Sequence, residues 1–471
     1  MRRFLFSVLL ALTSVCFACA GDAWIGLYMQ GQRIGYTHTV TSSDSLNGKP
    51  AQKSVSKTVM DADMLGTALK ITIDSTTWTI NEKAVRMLFT IESSGRKQVV
   101  EASFGADAVS IKTKNGNAVS TKSLPLPKDG QIVDDPVTAF MNGDVPAGSE
   151  RTFYVLDPMT TSLVKNVARL KGPTKTSVRG QEVDATLVEV VEPRATTRIY
   201  LSAKGDFIKA TGALGIEMLP ISEAEALGER PTGTIDIADA TRVKPDKPLG
   251  RIEDLRSATL RVTGRDLSRL PSDGHQTVSR DGDSWIIVLH PVPFSKNGAS
   301  IDTAQVGRQG YLKPSLYVPA DKPAFKQLAK KIAGDSKDVA GVARKVHDWV
   351  YAQMRPNAGI GVLRDASEVL SSKEGVCRDY AILTATLLRA RGIPTRLCSG
   401  LIYYEEAFYY HAWVEFWDGK AWIGLDSTRP DPELTPGHLK LAHGNVEDAF
   451  SFTVLENTKI EVVRTERKGK A

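Results

Sequence analysis

Between Trp24 and Arg230, apolar and polar residues alternate with a period of two, and this pattern limits the possible folds more than any other feature. "LKITIDSTTWTI" and "AVRMLFTIES" place Ile, Val and Phe at alternate positions, as half-buried strands require. "WIGLYMQGQRIGYTHTV" predicts two strands around a Gln30-Gly31 turn. "VEASFGADAVSIKTKNGNAVSTKSLPL" carries the pattern on through an Asn115-Gly116 turn. One helix is expected near "DPMTTSLVKNVARL". These segments predict a large curved antiparallel sheet over residues 21–235, and nothing in it resembles a catalytic cluster.

A chain of 471 residues is long for one core, and the pattern changes twice more. "TRVKPDKPLGRIED" marks a boundary by its prolines. "SATLRVTG", "HQTVSR" and "DSWIIVLHP" then read as strands of a small β module, residues 236–316. After Pro323 the spacing becomes helical, with Val339, Val342, Val346, Trp349 and Val350 on one face. His347 lies in that helix with no partner nearby in sequence, so it reads as a packed side chain rather than a ligand. "DASEVLSS" supplies a capping box, Asp365 with Glu368. This helical domain is assigned residues 317–463, and the basic tail 464–471 is expected to be solvated and frayed.

Residues 1–20 read as a signal peptide: Arg2 and Arg3, an apolar run from Phe4 to Val15, then Ala18 and Ala20 before a mature start near Gly21. The chain is therefore expected to be exported, periplasmic or extracellular. The Cys16–Cys19 pair has CxxC spacing but falls in the removed segment, so it is not a redox or zinc site. No later run is long and apolar enough for a membrane span. Removing Arg2 and Arg3 lowers the formal charge from +6 to +4, and no basic run with interleaved aromatics points to nucleic acid.

Two cysteines then remain, Cys377 and Cys398. Residues Cys377–Arg391 have a helical pattern, with Tyr380, Leu383, Thr384, Leu387 and Leu388 as a buried stripe. Gly392 supplies the left-handed stop, with Ile393 placed against Leu388, and Pro394 prevents continuation. Cys377 thus sits in the first turn, where free N–H groups and the helix dipole favour a thiolate nucleophile. The N–H groups of that turn can also donate to a developing oxyanion. Gly375 would let a substrate backbone approach. An exported chain permits a Cys377–Cys398 bridge. It is disfavoured because the helix is about 20 Å long and the returning segment needs its full extension, about 20 Å, to come back.

"YYHAWVEFWDGKAWIGLDST" reads as two strands around Asp418-Gly419. A two-residue turn pairs Trp417 with Lys420 and places His411 directly opposite Asp426, with Gly424 opposite Trp413. Ala412, Val414, Phe416, Ala421, Ile423 and Leu425 form an apolar face. His411, Trp413, Glu415, Trp417, Trp422 and Asp426 share the other. Alone, His411 and Asp426 could be a pair that only stabilises the sheet. A cysteine at a helix start just upstream points instead to general acid–base chemistry on a thiol.

"EGVCRDYA", "LLRARGIPTRLCSG", "HAWVEFW" and "GLDST" resemble, in that order, the motifs of the transglutaminase-like superfamily, over about residues 337–430. "TPGHLKLAHG" resembles the ending of exported bacterial members. The resemblance implies an α+β fold: a papain-like transglutaminase core, helices packed on an antiparallel sheet, preceded by all-β N-terminal modules. It also implies a catalytic triad of Cys377 as nucleophile, His411 as general acid/base and Asp426 as its orienting residue. Ser427 replaces the usual proline, Val376 replaces an acidic residue common in bacterial relatives, and "MRPNAGIGVL" supplies no evident second oxyanion donor. Active members share acyl transfer through a thioester, so the expectation is a cysteine peptidase or amidase acting on a protein or peptide. Water is the default acceptor, and an amine stays open. No cofactor is expected: HExxH, EF-hand, Walker A and dinucleotide motifs are absent. The rival expectation is a non-enzymatic envelope protein that binds a partner or apolar ligand and uses this domain as a scaffold.

Overall fold

The computed structural model describes residues 21–116, 118–143, 145–229, 235–295, 299–450, 455 and 458–469. The expected signal peptide lies outside the described residues. Contacts group residues 21–240 with Gly359–Val362 as one unit, and 241–358 with 363–469 as the other. Among the described residues, no helix is long and apolar enough to cross a membrane.

In the first unit fifteen strands form one sheet. Its order runs from Ala118–Pro125 at one edge back to Asp22–Met29, then to Ile216–Pro220 and back to Gln131–Ile132 at the other. Neighbours are antiparallel except at Gln131–Ile132, which runs parallel to Glu150–Asp157. The alternation seen in the sequence is the cause: Ile71, Ile73, Phe89, Ile91, Val100 and Ala102 are buried between more exposed neighbours. The helix expected near Asp157–Leu170 is absent. Residues Pro158–Thr161 turn, with the Asp157 carboxylate accepting from the Met159 N–H at 2.9 Å, and Ser162–Val178 is a strand. Asn166, Ala168 and Leu170 are buried on alternate positions there, so period two wins over local helical preference.

In the second unit the small module's strands Leu255–Thr263, Gln276–Asp281 and Ser284–Leu289 are joined by a fourth, Lys459–Arg467. The tail is therefore paired as far as Arg467 rather than frayed there, although its described side chains are largely exposed, as expected. Ile460 and Val462 are buried, and the ladder to Leu255–Thr263 continues as far as Arg467. The proline-containing boundary segment is also held by its neighbours: Val243 exchanges two backbone hydrogen bonds with Phe408, at 2.9 and 2.8 Å.

The helices Pro323–Ala333, Val339–Gln353 and Ala366–Ser372 surround a central helix, Cys377–Ala390. That cysteine helix packs on two strands of a four-stranded antiparallel sheet. The sheet order is Trp422–Leu425, Ala407–Trp417, Thr395–Tyr404, His438–Gly444. Because neighbours lie on every side, the cysteine helix is buried all round and not along one stripe. It ends at Gly392 (φ 88°), with the Ile393 N–H on the Leu388 carbonyl at 2.9 Å. Cutting the chain after Leu455 should lower the stability of this unit by about 3–6 kcal/mol, from the lost burial of Ile460 and Val462. A urea midpoint equal to that of the full chain would show that the tail adds nothing.

Candidate active site

The start of the cysteine helix is fixed by a buried ion pair. Asp379, three residues into the helix, accepts the Val376 N–H at 2.8 Å. Arg364 donates to Asp379 (Nε–Oδ1 3.3 Å) and to the Glu374 carbonyl (2.5 Å). All of this is closed to solvent: Arg364, Asp379 and Cys377 are each 0% exposed. A Cβ at Gly375 would collide with Asp379 and Arg364, so the space there belongs to this clamp rather than to a substrate backbone.

The histidine strand, Ala407–Trp417, pairs with Trp422–Leu425 around a wider turn than expected. Trp417 lies opposite Trp422, not Lys420, and Glu415 opposite Gly424. The Asp418 carboxylate accepts the Lys420 and Ala421 N–H groups at 2.8 and 2.7 Å, closing a four-residue loop. His411 is therefore not directly opposite Asp426. The register slips by two residues, and a slip of two leaves every side chain on its expected face. His411 still reaches Asp426, Nε2 to Oδ2, at 2.8 Å. Gly424 makes room for Leu434 and not for Trp413.

Asp426 is fully buried. Its Oδ1 accepts the Thr428 N–H (2.9 Å) and hydroxyl (2.7 Å), while Oδ2 takes His411 and, at 3.4 Å, His438 Nε2. Burial alone would raise this carboxyl, but the His411 charge and the hydrogen bonds from both histidines outweigh it and hold the group well below the usual carboxylate range. Ser427, in place of the expected proline, bonds Thr384 of the cysteine helix at 2.8 Å and ties that helix to the Asp426 loop. His347 is a packed residue, its Nε2 2.9 Å from the Arg429 carbonyl of the same loop.

The sequence reading missed a group of charges beneath this face. Glu415 bonds Lys440 (2.6 Å) and Arg396 (2.6 Å), and both cations reach Asp273, at 2.5 and 2.9 Å. Two acids thus balance two bases, with Glu415, Arg396 and Lys440 buried and Asp273 half-buried. Arg396 lies directly across from Glu415, a pairing that becomes visible once the strand register is known. No disulfide joins Cys377 and Cys398. Cys398 packs against Trp413 and Leu434, and burial, with the nearby Glu415 charge, pushes its thiol well above the ordinary value.

His411, Asp426 and His438 together could offer a metal two imidazoles and a carboxylate, with ligand atoms within 4.8 Å of one another. The Thr435 N–H, however, points at His438 Nδ1 at 3.1 Å. The Thr435 carbonyl is a little farther from Nδ1, at 3.3 Å, and the Asp426 carboxylate, which only accepts, faces Nε2, so these contacts favour the ring proton on Nε2, the atom a metal would need. The residues fit a hydrogen-bonded relay better than an ion.

Burial pushes His438 down to about 3 and His275 down to about 4. The folded state then binds fewer protons than the unfolded state below about pH 6.5. Stability is full above that pH and falls as pH drops towards the folded values, by roughly 1.4 kcal/mol per pH unit for each histidine. Amide exchange in Thr395–Tyr404 should therefore quicken steadily from pH 7 to 4 after correction for intrinsic rates. A flat corrected profile would mean that these imidazoles are not buried neutral.

The profile of the transglutaminase-like superfamily matches residues 326–427. An uncharacterized protein of Mycobacterium leprae is 30% identical over 145 residues, covering 28% of this chain and 50% of its own length. An uncharacterized protein of Mycobacterium tuberculosis is 24% identical over 181 residues, 33% of this chain and 58% of its own. The chain thus spans about half the length of these relatives. Among solved structures, a candidate cysteine protease from Cytophaga hutchinsonii is 21% identical with a TM-score of 0.31, covering 44% of this chain and 81% of its own. A β-barrel-like protein of unknown function from Brucella abortus is 10% identical with a TM-score of 0.31, covering 44% and 98%. The cysteine helix, the histidine strand and Asp426 all fall within the matched span, and that part of the chain is a domain of the transglutaminase-like superfamily.

Proposed function

We propose that this chain is an exported cysteine acyl-transfer enzyme that hydrolyses peptide or amide bonds, with Cys377, His411 and Asp426 as its triad. One observation carries the reading: a buried histidine bonded at 2.8 Å to a buried carboxylate, on a strand against which a cysteine-initiated helix packs. The charged and apolar pattern of residues 2–20 supports export. In this reading the Cys377 thiolate attacks the substrate carbonyl carbon. The His411 imidazolium gives its proton to the leaving nitrogen as the C–N bond breaks, leaving a thioester. Water then gives a proton to His411 and attacks the thioester, and the acid product departs as the thiolate re-forms. Asp426 holds the imidazole tautomer and stabilises the imidazolium. The papain-like arrangement expected from the sequence is part of this proposal, and the packing of the cysteine helix on the sheet supports it.

A binding role is the second reading. Cys377 has no exposed surface. Thiol labelling separates the two. An enzyme should label rapidly at Cys377 with a chloroacetamide probe and slowly at Cys398. Asp426→Asn should lower the labelling rate about a hundredfold while leaving the circular dichroism unchanged. Slow labelling at both cysteines, unaffected by Asp426→Asn, would support the scaffold.

A further inference from the structure

Acyl transfer through His411 leaves a second buried histidine without a task. His438 is 0% exposed, and its Nε2 lies 3.4 Å from the same Asp426 oxygen that takes His411. The Asp426 carboxylate, an acceptor only, faces Nε2, and at Nδ1 the Thr435 N–H (3.1 Å) lies closer than the Thr435 carbonyl (3.3 Å); both favour the proton on Nε2, and burial keeps the ring neutral. Trp413 meets the ring edge-on, with centroids 5.4 Å apart.

The backbone beneath this ring is held as firmly as the ring itself. His275 Nε2 donates to the His438 carbonyl at 2.7 Å. The Gln276 side chain makes two bonds to Lys440, accepting its N–H and donating to its carbonyl, each at 2.8 Å. His275 and Gln276 stand at the start of the Gln276–Asp281 strand, so the small module braces the edge of the site sheet where His438 begins it.

We infer that His438 is a positioning residue: its Nε2–H donates to Asp426 Oδ2 and keeps the carboxylate aimed at His411, with His275 and Gln276 bracing it. This inference rests on the acyl-transfer reading and deepens it. Thr428 holds only Oδ1. When His411 is neutral its bond to Oδ2 weakens, and a second donor stops the carboxylate from turning away. A neutral donor suits the place. A lysine or arginine would cancel the charge that steadies the His411 imidazolium, whereas an imidazole that stays uncharged leaves it whole. Apart from Asp426, the titratable or charged groups acting on His438 are Arg429 and His411.

The test is the pH profile of Cys377 alkylation by iodoacetamide in the full chain, for the wild type, His438→Gln and His438→Leu. A glutamine amide can donate from near the Nε2 position, and leucine cannot. We expect His438→Leu to lose about tenfold in rate at pH 6, with its acid limb about one pH unit higher, because the thiolate–imidazolium pair has lost its anchor. His438→Gln should recover most of that rate and the wild-type limb. Leucine and glutamine variants that both match the wild type, or that both fall equally, would overturn the positioning role and leave only packing. A wild-type profile no different from that of an isolated cysteine would instead sink the acyl-transfer reading. Should His438→Leu fail to fold, ¹⁵N-histidine NMR of the wild type decides. A neutral Nε2–H tautomer from pH 5 to 8 is expected, and an Nδ1–H ring or a titration within that range would overturn the inference.

Discussion

A carboxylate with no exposed surface must be ringed by donors, and Asp426 imposes that demand on everything near it. Four donors answer it from three segments: the histidine strand, the residues just after Asp426 itself, and the edge strand that begins at His438. No arginine or lysine is among them. The negative charge therefore stays available to the imidazole, and for a proposed acyl-transfer site that is the property that matters.

The surroundings are built to the same requirement. Gly400 lies directly across from His411, and a Cβ there would run into the Leu439 carbonyl and the Trp413 ring. Three strands can therefore close up around the histidine. Beneath the same face, Glu415, Arg396, Lys440 and Asp273 cancel one another's charge. Removing one member would strand the rest, at a cost of about 3–5 kcal/mol. The small module contributes Asp273, His275 and Gln276 to this layer, and its three strands, from Leu255 to Leu289, fall in the same unit as the site.

Much of this was legible in the sequence, for a physical reason. Strand faces depend only on parity, so placing His411 and Asp426 on one face survived a turn two residues wider than expected. The helix stop at Gly392 follows from local sterics and needed no tertiary information. The charge network was not legible, because Lys440 and Asp273 stand 167 positions apart and meet only through the fold. His438 was passed over for a related cause: nothing local shows that its strand lies at Asp426. The tail misled only as to pairing: its charged side chains are exposed as expected, but the strand that buries Ile460 and Val462 just before it runs on to Arg467. The Asp157–Leu170 segment misled the other way, since its alternation was masked by Asn166 in a buried position.

The central claim is that Cys377 forms an acyl-enzyme. Incubating the chain with an activated peptide ester, quenching in acid and mapping the adduct by peptide mass spectrometry tests it most directly. The account predicts an acyl group on Cys377 that builds up within the first turnover, is absent in Cys377→Ala and decays as acid product appears. No adduct under these conditions, or one carried by Cys398 alone, would contradict it.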